Sequence, residues 1–359
     1  MELADYFEVD FLDVEAKSSG DAICVRYEIA GKTYIHVVDG GYQKTGQSVV
    51  DHINKYYGNP QRIDHVICTH NDGDHAGGLQ TVLDSFEIGA LWMLRPWLYS
   101  DQLIGRFPTY SSVDRLRSAL RSAFPNLAAL EDIANKRGIQ IVEPFQGATI
   151  GAFWVMAPTR QRYFDLIVES GKTPEGAKDE GILAKAGAFV VEAAKQVTAL
   201  VRAAWGDEYF PAGETSTENE MSVVQYTRIL DKSIMLTGDT GRSGLREVID
   251  YAKALGIPLP GLHYFQVPHH GGRHNVTTDL LDELLGPRLA NQQNGTWTAV
   301  VSSAKADPDH PRKSVIRAMI HRGANVLTTE GSGKCVSKGA PDRGWYAATP
   351  EPYPPEQED

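Results

Sequence analysis

Two imidazoles and two carboxylates crowd into six residues at His70, Asp72, Asp74 and His75. An extended turn points alternate side chains into one pocket, and gathering that many acidic and basic groups calls for a cation. Borderline and hard donors of this kind suit a divalent transition metal, and their density points to two ions sharing the site. Val66, Ile67 and Cys68 just before them form a short apolar run, as expected of a core strand. Gly77 and Gly78 just after them allow a helix to lie close against the sheet. Asp74 precedes that helix and is placed to cap its N-terminus as well.

The elements needed to position such a site recur along the chain. Thr33 to Val38 reads as a strand ending at Asp39-Gly40-Gly41. A strand at Ser233 to Leu236 ends at Thr237-Gly238-Asp239, and Tyr264 to Val267 ends at Pro268-His269-His270-Gly271-Gly272. Ala299 to Val301 ends at Ser302-Ser303, with Lys305 and His310 following. Helical spacing separates these strands, notably near residues 48–57, 79–86, 112–124, 127–137 and 243–255, giving an α/β rhythm whose strand ends can converge on one edge. Asp239 is the candidate to bridge two ions about 3.5–4 Å apart. His269 or His270 completes the second metal; adjacent side chains diverge, so His269 is favoured and the other is left to contact substrate. Asp39 orients a ligand from behind or stabilises its own turn. His310 is a candidate proton donor or phosphate contact, His274 a candidate substrate contact, and Lys305 a weaker companion. His36, His52, His65 and His321 fit packed strand and helix positions and are expected to be structural.

Taken together, His70-x-Asp72-x-Asp74-His75, the upstream Asp39, Leu236-Thr237-Gly238-Asp239 and Pro268-His269-His270-Gly271 resemble the metallo-β-lactamase fold superfamily. The chain is most similar to the hydrolase domain of ComEC-type competence proteins, on Phe11-Leu12-Asp13-Val14, Gly20-Asp21-Ala22, Asn219-Glu220-Met221-Ser222 and His310-Pro311. The resemblance implies an αββα sandwich of two mixed β-sheets flanked by helices, occupying residues 1–345 and interrupted by a helical insertion at 159–218. It implies a hydrolase with two divalent ions, zinc or manganese, with magnesium as a further alternative. Asp72 stands where most of the superfamily has histidine, although the ComEC branch also carries aspartate there. Ala157, before Pro158, stands where a third-motif histidine is common, which leaves one metal short of a protein ligand. Exchanging nitrogen for oxygen donors moves preference from zinc towards manganese or magnesium.

Composition fixes the class more than the substrate. With 42% hydrophobic and 23% charged residues the chain is an ordinary globular one, and no apolar run is long enough to span a membrane. Its first residues show no basic stretch followed by an apolar one, so the expected location is the cytoplasm. Cys24, Cys68 and Cys335 are few and far apart, which argues against a disulfide framework or a thiolate zinc site. A net charge of −11 argues against a broad surface for duplex nucleic acid. The densest basic stretch, Arg95 to Arg121, is read as the solvated face of a helix ahead of a phosphate track. Alanine-rich runs from Ile182 to Trp205 read as helix within the insertion, and the Pro- and acid-rich residues 346–359 as a disordered tail.

Three functions remain at this stage. The first is hydrolysis of a phosphodiester, in nucleic acid or a nucleotide, by water made reactive between the metals, with Asp74 or Asp239 orienting it. The second is hydrolysis of a lactone, thioester or lactam. The third is a partner-binding subunit that docks another protein through residues 159–218.

Overall fold

The computed structural model describes residues 5–14, 16–174 and 200–359. Tyr6–Phe11 (β1), Ala22–Ile29 (β2) and Lys32–Gly40 (β3) make an antiparallel meander whose side chains are buried on both faces. After β3 the chain crosses through Gly46–Tyr56 (α1) to a parallel strand, Arg62–Ile67 (β4), then through Gly73–Ala76 (α2) and Leu79–Ser85 (α3) to Glu87–Trp92 (β5). Val49, Val50 and Ile53 recur at helical spacing on α1 and form its buried stripe. Val113–Ala123 (α4) and Pro125–Arg137 (α5) follow, then Ile141–Val142 (β6). Pro125 opens α5 at the position where a missing N–H costs nothing, and Gly138, at φ 69°, ends it.

The second half builds another sheet. The elements of this half, not all of them in that sheet, start with Thr149–Ile150 (β7), Phe153–Ala157 (β8), Arg160–Glu169 (α6), Leu200–Arg202 (β9) and Thr217–Glu220 (α7). Val224–Ile229 (β10), Lys232–Leu236 (β11), Arg242–Leu255 (α8), Tyr264–Gln266 (β12), Thr278–Leu285 (α9) and Trp297–Val301 (β13) follow. Lys313–His321 (α10), Ala324–Thr328 (β14), Lys334–Lys338 (β15) and Glu356–Glu358 (β16) complete the order.

One seven-stranded sheet runs β15-β1-β2-β3-β4-β5-β6 and the other β14-β13-β12-β11-β10-β8-β7, both mixing parallel and antiparallel pairs. Phe7, Val9, Val25 and Ile67 of the first meet Phe153, Val155, Leu236 and Val300 of the second in a shared core. Helices cover both outer faces, as the separate clusters around Leu79 and Leu116 and around Leu245 and Met319 show. This is the expected αββα sandwich. No helix among the described residues is long and apolar enough to cross a membrane.

Two expectations need correction. Residues 182–199 of the alanine-rich run lie outside the described residues, but 200–202 form β9, which pairs with β16, and are not helical. The acidic tail is not a loose end. Glu351 donates its N–H to the Val326 carbonyl on β14, Tyr353 packs under Arg317, and Glu358 accepts from the N–H groups of Lys313 and Ser314. Helix N-termini carry amides without intrahelical partners, and a carboxylate there satisfies them. That contact holds Glu358 below the usual carboxylate range even though its burial works the other way.

Candidate metal centre

The parallel strands of both sheets release their C-terminal ends on one edge of the sandwich. Asp39 ends β3, the His70 loop follows β4, Asp239 follows β11, His269 and His270 follow β12, and Ser302 follows β13. Close approach between the first sheet and the metal loop is what makes this possible. A Cβ on Gly78 would lie 1.9 Å from the Gly40 carbonyl oxygen, so the helix start can sit there only with glycine. Asp39, His269 and His270 have φ values of 55°, 50° and 53°, left-handed conformations that non-glycine residues rarely adopt and that cluster at functional sites.

The candidate ligands meet. His75 Nε2 lies 3.2 Å from Asp239 Oδ1 and 3.9 Å from Asp74 Oδ2, while His270 Nε2 lies 3.4 Å from Asp74 Oδ2 and 3.9 Å from Asp239 Oδ2. Donors about 2.0–2.1 Å from a tetrahedral ion are themselves roughly 3.3 Å apart; Asp74, His75 and His270 offer three ligand atoms within 4.8 Å of one another, with Asp239 beside them. His70 Nε2 lies 3.8 Å from Asp239 Oδ2 and 3.9 Å from Asp72 Oδ2. Asp72 also accepts from Lys172 Nζ at 2.6 Å. Asp72, not Asp74, is the residue that precedes α2, and neither makes a side-chain capping bond there. Asp239 does not cap α8 either, because Glu220 accepts from Ser243 and Gly244 at that end.

Hydrogen bonds assign the tautomer of each imidazole. His75 Nδ1 donates to Asp39 Oδ2 at 2.8 Å, and His270 Nδ1 donates to the Ser302 carbonyl at 2.9 Å. Thr69 Oγ1 donates to Asp39, so its lone pair accepts from His70 Nδ1 at 3.0 Å. Asn275 uses its N–H groups on the Asp239 and Thr240 carbonyls and therefore turns its oxygen to His269 Nδ1 at 2.9 Å. In every case a partner takes the Nδ1 proton, so Nε2 is the nitrogen left to ligate once a cation takes the place of any proton it carries. His70, His75 and His270 Nε2, together with Asp239 Oδ1 and Asp21 Oδ1, are buried with no hydrogen-bond partner. Five such atoms pointing together are costly unless something binds them, and the donor set fits a divalent cation.

The electrostatics agree with a cation-seeking cluster. Burial pushes the His75 pKa down, but Asp239, Asp74 and Asp39 override it and hold it well above the usual histidine value. Burial likewise opposes protonation of His270, yet Asp239, Asp74 and Asp21 push its pKa up to about 9. Burial would raise the Asp239 pKa, but His75, His270 and His269 hold it far below the usual carboxylate range.

Of the adjacent pair, His270 enters the buried cluster. His269 stands beside Asp239 at 3.8 Å and beside His310, at a ring separation of 5.2 Å. His310 Nδ1 lies 3.3 Å from Asp307 Oδ2, and Asp307 also accepts from the N–H and hydroxyl of Ser19. His274 Nδ1 donates to the Gly213 carbonyl, and Lys305 is exposed on the loop leading to His310. The histidines expected to be structural lie elsewhere: His36 against Tyr27, His52 on Asp10, His65 on Trp92 and His321 on Glu208. Arg95, Arg106, Arg117 and Arg121 of the basic stretch are each paired with a carboxylate of this chain.

Sequence reasoning placed Asp21 only within a resemblance motif. In the structure Asp21 accepts from Gln266 Nε2 and lies 3.7 Å from His75 Nδ1, within groups shared with Asp39, Asp239 and His270. Gly20 is its local signal: a Cβ there would meet the Asp74 carbonyl at 2.8 Å, so only glycine lets β2 start against the metal loop. Lys172, Asn275 and Asp307 were also missed.

Comparison with known proteins gives one match to a family model, over part of the chain. The sequence model of the metallo-beta-lactamase superfamily matches residues 22–105, which include Asp39 and the His70 loop. No curated protein matches the chain. Among solved structures, metallo-beta-lactamase SMB-1 bound to 2-mercaptoethanesulfonate is similar over 75% of this chain and 81% of its own, at 10% identity and a TM-score of 0.31. Rm3 metallo-beta-lactamase is similar over 76% and 80%, at 10% identity and a TM-score of 0.30. The hydrolase AbOPH of the beta lactamase superfamily is similar over 61% and 56%, at 14% identity and a TM-score of 0.28.

Proposed function

We propose that the protein is a metal-dependent hydrolase and that its substrate is a phosphodiester, in nucleic acid or a nucleotide-like molecule. The observation that carries the hydrolase reading is the convergence of unpartnered His70, His75 and His270 Nε2 atoms on Asp239, each imidazole fixed from behind in the ligating tautomer. A divalent cation held there lowers the pKa of water towards about 7 and offsets charge developing on the substrate. Asp74 and Asp239 would hold such a cation and orient the attacking water, and Asp39, Thr69 and Ser302 keep the imidazoles aimed. His310, tethered to Asp307 at the edge of the cluster, is placed to hand a proton to the leaving oxygen.

Phosphorus is favoured over carbon because the centre is rich in oxygen donors. Asp72, Asp74 and Asp239 all face it, and hard oxygen donors suit the manganese and magnesium ions that accompany phosphates. The test is cleavage of bis(4-nitrophenyl) phosphate and of single-stranded DNA by protein loaded with zinc, manganese or magnesium, beside a lactone, thioester and lactam panel. The reading expects diester cleavage that Asp239→Ala abolishes. Cleavage of the carbonyl substrates alone, or of none, refutes it.

A further inference from the structure

The two halves of the centre are unequally supplied with donors. On one side Asp74, His75 and His270 provide three ligand atoms within 4.8 Å of one another, with Asp239 shared beside them. The other half has His70, the shared Asp239 and Asp72. Asp72 is already engaged: Lys172 Nζ sits 2.6 Å from its Oδ1.

That lysine is held in place by the fold. Ser170, buried at the end of α6, donates its hydroxyl to Glu218 of α7 and accepts from the Lys172 N–H. Thr173 donates its hydroxyl to the Ile167 and Ser170 carbonyls. The turn that carries Lys172 is thus pinned on both sides, and it delivers an ammonium to the one carboxylate that a second ion would need.

We infer that Lys172 serves as the internal cation of the His70–Asp72 half-site, so that the protein binds one divalent ion tightly and a second only weakly. A second ion has to displace the ammonium from Asp72 or accept repulsion from it at short range, and like charges a few ångströms apart in a partly buried site repel strongly.

This inference rests on the hydrolase reading, and one experiment separates the two. Metal-free protein is titrated with zinc and with manganese, stoichiometry is read by native mass spectrometry, and affinities by calorimetry. The wild type is expected to take one equivalent tightly, with a second about tenfold or more weaker. Lys172→Ala and Lys172→Met are expected to take two equivalents, and Asp72→Asn in the Lys172→Ala background to return the count to one. Two equivalents of similar affinity in the wild type, or one equivalent in both lysine variants, overturns the inference and leaves the hydrolase reading standing. No tight equivalent in any form overturns both.

Discussion

Asp39→Asn tests how the centre is aimed, and its effect can be worked through atom by atom. Asp39 Oδ1 accepts from the Thr69 N–H at 2.8 Å, and Oδ2 accepts from the Thr69 hydroxyl at 2.6 Å and from His75 Nδ1 at 2.8 Å. Asparagine tolerates the left-handed backbone that Asp39 adopts at φ 55°, so the turn survives the exchange. Its oxygen must face the Thr69 N–H, because an amide nitrogen there would oppose a donor with a donor. The NH2 group then replaces Oδ2 and can only donate, which forces His75 Nδ1 to become the acceptor. The proton moves to Nε2, the atom that has to ligate. Loss of an outer partner of this kind typically weakens metal binding 10- to 100-fold, about 1.4–2.7 kcal/mol. Competition against a chromogenic chelator, with circular dichroism to verify folding, measures it directly. A folded Asp39→Asn protein that binds metal as tightly as the wild type would refute the reasoning.

Other consequences follow from the same structure. Stripping the metal with a chelator should lower stability, by about 2.7 kcal/mol if the free ion had stood at 100 times its dissociation constant, and a thermal melt unchanged by chelation and reloading would deny that the fold holds an ion. Gly78→Ala, which sets a methyl group against the Gly40 carbonyl, should destabilise the protein by about 1–3 kcal/mol or more and loosen metal binding; an unshifted denaturant midpoint would show that the close approach is not needed. Glu208 is buried between His321 and Arg322; burial works upward on its pKa, but those partners bring it down to about 2 from an ordinary 4.5. A depressed carboxylate pKa stabilises the native state above the unfolded value and loses that contribution as pH falls through the native one. Glu208→Gln should therefore cost about 3–5 kcal/mol at neutral pH, and its gap from the wild type should narrow between pH 4.5 and 2; a gap independent of pH in urea unfolding would contradict this.

The sequence made the ligands legible because each sits where a buried strand gives way to polar residues, as at Ile67 before His70 and Leu236 before Asp239. Period and turn chemistry report such junctions, and the right sheet edge follows from them. What stayed hidden depends on contacts between distant segments. Asp21 faces His75, Asp239 and His270 only once β2 lies beside β3, and nothing local marks it except Gly20. Choosing His270 over His269 requires knowing that His270 Nε2 lies 3.4 Å from Asp74, whereas His269 stands between Asp239 and His310. The tail misled because proline and acidic residues look alike whether solvated or docked. The α10 segment carries the same lesson from the other side: it buries Ser314, Arg317 and His321 as well as its apolar residues, since the tail covers the face that would otherwise meet water.

Anomalous scattering from crystals grown with zinc or manganese puts the centre itself to the test. The expected result is a peak about 2.0–2.3 Å from His75 Nε2, His270 Nε2, Asp74 and Asp239 together. An ion bound elsewhere on the chain, or none at these four groups at saturating metal, would contradict the assignment of the site and the hydrolase built on it.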